Sequence, residues 1–94
     1  MSLSPEAAET LALQALAWLV SNDELLPVFL GATGASEADL RARAGEAEFL
    51  GSVLEFLTLN DAWVMAFCDA GNMAYEQPML AAQVLLGAGR THWT

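Results

Sequence analysis

This chain has no lysine and no isoleucine, and it holds only three arginines, one histidine and one cysteine. A single thiol, Cys68, closes no internal disulfide, so no covalent staple holds the fold. Its place between Phe67 and Asp69, in an apolar helical pattern, reads as a buried and inert thiol. A single histidine, His92, leaves every Ser, Thr and Cys without a positioned base to activate it. With no Cys pair, no His pair and no Glu-x-x-His, a zinc site and a di-iron bundle both lack ligands. No acids alternate around a glycine as a calcium loop requires. The expectation is a protein without catalytic residues, metal or cofactor.

Bases are equally scarce. Twelve acids face three bases, for a net charge of −9. Such a surface repels phosphate backbones and anionic membranes, which disfavours nucleic acid as a partner. Lysine and isoleucine both have AT-rich codons, so part of this bias reflects a GC-rich genome. The longest weakly polar run, 10–20, falls short of the roughly 20 apolar residues of a membrane span. The start, Met-Ser-Leu-Ser-Pro-Glu, has no positive n-region. A cytoplasmic protein with no membrane partner is therefore expected.

What the chain has in quantity is apolar side chains, and they repeat. Shifted by 38 positions, Leu16, Trp18, Leu19, Asn22, Asp23 and Phe29 fall on Leu54, Phe56, Leu57, Asn60, Asp61 and Phe67. Five such pairs are identical, and the match runs through the Asn-Asp hinge without a gap. A period of this length points to a duplicated helix–hinge–helix unit.

The spacing of apolar residues is helical and no β-branched run is present, so the fold class is all-α, with about six short helices. Ser4 caps a first helix that opens on Pro5 and runs to about Val20. Uncharged from Thr10 to Asn22, it reads as the most buried element. The second helix must begin near Asp23 so that Pro27 falls in its first turn, and it ends between Gly31 and Gly34. Ser36 and Asp39 form a capping box for a third, over 36–44. A fourth spans about 46–59, and a fifth runs from Asn60-Asp61 to Gly71. A sixth starts at Pro78 and is stopped near Leu86 by Gly87 and Gly89. The organisation is one domain, 1–94: a first three-helix unit over about 5–44, a second over about 46–86, and a tail, 87–94. The third helices of the two units do not align.

The runs Ala12-Leu-Gln-Ala-Leu-Ala-Trp-Leu, Phe29-Leu-Gly-Ala-Thr-Gly, Asp39-Leu-Arg-Ala-Arg-Ala and Phe49-Leu-Gly-Ser-Val-Leu-Glu-Phe-Leu, with the His-Trp-Thr ending, resemble a small alphaproteobacterial family catalogued as domain of unknown function 3572. The resemblance covers nearly the whole chain and implies a bacterial source. It implies no activity and no catalytic residue. Asn72 to Gln77 departs from the Gly-Leu-Pro-Pro turn of such sequences.

Two functional readings remain. Hydrophobic residues make up 55% of the chain and charged ones 16%, against about 25% in ordinary domains. Some apolar surface must therefore meet another chain, which makes a protein-interaction module the leading expectation. Its partner is a different protein, or a second copy in a two-fold dimer. The expected patch is Met79, Leu80, Val84 and Leu85 of the uncharged sixth helix, together with Trp93. The alternative is a helix-turn-helix DNA-binding regulator: Phe29 to Arg43 has that outline, with Arg41 and Arg43 on its second helix. Two arginines fall short of the several phosphate contacts such binding needs.

Overall fold

The computed structural model describes residues 3–91, and the side-chain surroundings of residues 3–87. Six helices follow in order: α1 (Pro5–Val20), α2 (Leu25–Thr33), α3 (Glu37–Ala42), α4 (Ala47–Leu57), α5 (Asp61–Gly71) and α6 (Gln77–Thr91). Among the described residues there is no strand. No helix among them is long and apolar enough to cross a membrane.

Local chemistry sets most of the boundaries. Ser4 accepts a hydrogen bond from the Ala7 amide, and Pro5 follows where a missing N–H costs nothing. The Ser36–Asp39 capping box is complete in both directions. At the first hinge, Asn22 Oδ1 accepts from the amides of Glu24 and Leu25; at the second, Asn60 Oδ1 accepts from Ala62. Pro27 is the third residue of α2, where the helix has no use for its amide.

α1, α4 and α6 form the centre, and each packs on the other two. Leu19, Leu50, Val53, Leu54 and Leu57 are buried among the largest side chains of this core. Gly51 of α4 lies directly beneath Leu86 of α6. A Cβ added there would lie 2.5 Å from Leu86 Cγ and Cδ2. α2 and α5 lie outside this centre. Phe29 of α2 meets Phe56 of α4 edge-on at 5.1 Å, and Phe67 of α5 meets Trp18 of α1 edge-on at 5.8 Å.

Three expectations need correction. α6 does not stop near Leu86: it continues through Gly87 and Gly89 to Thr91, so the first part of the expected tail is helix. A glycine weakens a helix by about 1 kcal/mol, and the packing of α6 on α1 and α4 outweighs it. The most buried element is α4 and not α1. α1 buries one face (Ala8, Leu11, Ala12, Ala15, Leu16, Leu19) and leaves Leu13 and Val20 exposed. Finally, α3 and α4 are each shorter than expected, since Arg43 caps the first and Thr58 the second.

Candidate functional site

The residue spacing of α1 explains an opening beside it. Positions 8, 11, 12, 15, 16 and 19 face the core, so Leu13, Ala17 and Val20 line the neighbouring strip of the same helix. Leu26 of α2 lines the same opening. Glu37, Leu40 and Arg41 of α3, and Ala44 beyond it, add to the lining. Together they enclose a groove of about 400 Å³. Leu13 is 44% exposed and Val20 47%. α3 is six residues long, roughly 9 Å at 1.5 Å per residue, and is too short to cover a helix of sixteen.

The sequence-derived patch on α6 does not form one face. Leu80 and Val84 share a side by helical spacing, while Met79 and Leu85 point elsewhere. Val84 and Leu85 pack against the core, and Leu80 is half-buried. Met79 is open, and lines a different cleft with Glu55, Thr58, Gln83 and Leu86. Trp93 and His92 lie outside the described residues.

The two arginines of the helix-turn-helix outline are separated as well. Arg43 Nε donates to Glu46 Oε1 at 3.1 Å, and its guanidinium lies 4.9 Å from the centre of the Phe49 ring. Arg43 thereby pins the α3–α4 turn. Arg41 faces the groove instead. They do not present one basic surface.

A polar knot closes α5. The Tyr75 hydroxyl donates to Asp69 Oδ1 at 2.8 Å, which raises the tyrosine pKa above its ordinary value. The Cys68 thiol is buried and donates to the Ala74 carbonyl at 3.5 Å. Burial first, and then the charges of Asp69 and Glu76, push its pKa up. A thiol held in its neutral form is a poor nucleophile. Among the described residues, no three or more His, Cys, Asp or Glu side chains gather where they could hold a metal ion.

Sequence reasoning missed the groove, although the signal was present. α1 carries no charge between Glu9 and Asp23, so the reasoning that singled out α6 applied to α1 with equal force. A family model described as "Protein of unknown function (DUF3572)" matches residues 5–88. No curated protein and no solved structure matches the chain.

Proposed function

This chain belongs to the family described as a protein of unknown function (DUF3572), and we propose that it works as a non-catalytic protein-interaction module. One observation carries the reading: an open apolar groove between α1, α2 and α3, in which large aliphatic side chains stand nearly half exposed. Hydrophobic side chains in a concave strip, with few charged ones among them, are the anatomy of a docking surface. The reading includes a bacterial source and a cytoplasmic site of action, which fractionation of native cells tests. It also holds that the first two helices of each half are copies of one unit. The matching Asn22 and Asn60 hinge bonds support this, as do the exchanged aromatic contacts of Phe29 and Phe67.

Differential capture tests the docking site. Tagged wild-type chain, a groove variant (Leu13→Ser with Val20→Ser) and an α6 variant (Met79→Ser) are exposed to native cell extract. The expected result is a protein held by wild type and Met79→Ser but lost from the groove variant. Equal retention by the groove variant would move the interface elsewhere. The DNA-binding alternative loses support from Arg43, which is spent on Glu46 and Phe49.

A further inference from the structure

Resting on that docking reading, we infer that the groove takes a cationic amphipathic helix from a partner protein.

The shape of the occupant follows from the other half of the chain. Shifted by 38 positions, the α1 groove wall of Leu13, Leu16, Ala17 and Val20 becomes Gly51, Leu54 and Glu55 of α4 and Thr58 at its C-cap. That face of α4 carries a helix. Leu86 of α6 sits on Gly51, and Glu55 and Thr58 share a cleft with Met79 and Gln83 of the same helix. The third helix is fifteen residues long in the second half and six in the first. At 1.5 Å per residue these reach roughly 22 Å and 9 Å. α6 runs beside this stripe of α4, with Leu86 seated on Gly51, whereas the six-residue α3 lies beside only part of the matching stripe of α1.

The charge of the occupant follows from the acids in and around the groove. Glu37 lines the groove wall. Glu9 stands one turn before Leu13 on the same side of α1, and Asp23 and Glu24 lead into α2 at the Val20 end; all three are exposed. Among the described residues, Arg41 is the one base that lines the groove. A second copy would bring another −9 to the same place. A helix with leucines on one face and lysines or arginines on its flanks meets both the apolar lining and these acids.

The test uses the full chain and fluorescein-labelled helical peptides of roughly 18 residues. One has leucines at i, i+3, i+4 and i+7 with lysines elsewhere, and a second has glutamine in place of every lysine. Fluorescence anisotropy is the readout. The lysine peptide should bind about tenfold or more tightly than the glutamine peptide, and lose that advantage as salt rises. Ala17→Trp, which fills the groove, and Leu13→Ser, which strips its wall, should each weaken binding about tenfold or more. Met79→Ser should leave binding unchanged, and circular dichroism confirms that each variant is folded. Equal binding of both peptides, lost in Ala17→Trp, would overturn the cationic assignment and leave the docking site standing. Lysine-peptide binding indifferent to Ala17→Trp and Leu13→Ser would overturn both. Failure of both peptides to bind would overturn the inference alone, since differential capture tests the site independently. A dimer in light scattering that Ala17→Trp dissolves would give the groove to a second copy and overturn it too.

Discussion

Gly34 and Asn72 stand 38 positions apart, and both take left-handed backbone at the end of a helix, with φ of 74° and 56°. Each amide donates to the carbonyl four residues back, Leu30 and Cys68. A β-carbon in this conformation costs roughly 1–2 kcal/mol, and asparagine bears it better than most residues. Gly34→Ala should therefore destabilise by about that amount in urea unfolding, and Gly34→Asn by clearly less. Equal losses would remove the backbone explanation.

The aromatic contacts of the two halves are exchanged. Phe29 of the first rests on Phe56 of the second, and Phe67 of the second rests on Trp18 of the first. Phe29 is 0% exposed and Phe67 2%. Phe29→Ala and Phe67→Ala should each cost about 3–5 kcal/mol. Double-mutant cycles on Phe29–Phe56 and Trp18–Phe67 should each return roughly 0.5–1.5 kcal/mol of coupling. A coupling near zero in either cycle would break the correspondence.

Gly51 allows α6 to lie against α4. Leu13, its counterpart 38 positions earlier, fills that position on α1. Gly51→Leu should drive Leu86 outward and cost roughly 1–3 kcal/mol, the usual range for overpacking. Leu86→Ala in the same chain should recover part of the loss. Thermal unfolding of the single and double variants decides it.

Tyr75 is the chain's one tyrosine, so its titration can be read from phenolate absorbance alone. The hydrogen bond to Asp69 raises its pKa first, and partial desolvation and the Asp69 charge act the same way. The folded value thus lies above the ordinary 10.0. A raised pKa means that the folded state favours the protonated phenol. The stabilisation is full below the unfolded pKa and is lost as pH climbs through the folded one. Cys68, raised from 9.0, follows the same sign. Asp69→Asn should bring the phenolate midpoint down, and native Cys68 should react with a thiol reagent only as the chain unfolds.

No duplex DNA should bind with sub-micromolar affinity at physiological salt, given a net charge of −9 and a guanidinium of Arg43 held by Glu46. A mobility-shift assay checks this. A clear shift lost in Arg41→Ala with Arg43→Ala would restore the regulator reading.

Helix class and most helix starts were legible because they depend on neighbours in sequence. Ser4, Ser36 and Asn60 cap where their side chains reach amides two or three residues on. Helix ends that depend on distant packing were not legible. Gly87 and Gly89 read as a stop, and only the seat of α6 against α1 and α4 explains why the helix continues. The candidate site was hidden for the same reason. Leu13, Ala17 and Val20 belong to an uncharged helix, and nothing within that helix says that α3 ends too soon to cover them.

The central trio α1, α4 and α6 has a consequence for synthesis on the ribosome. α1 emerges early, and its core face waits for α4 and α6, the last of which is the final helix of the described chain. Phe29 emerges before Phe49 and Phe56, which cover it. A nascent chain halted after α3 holds a row of uncovered leucines with no partner to bury them. Such a fragment is a substrate for chaperones and proteases, not a half-built protein. The core face of α1 is complete only once α4 and α6 have both been made.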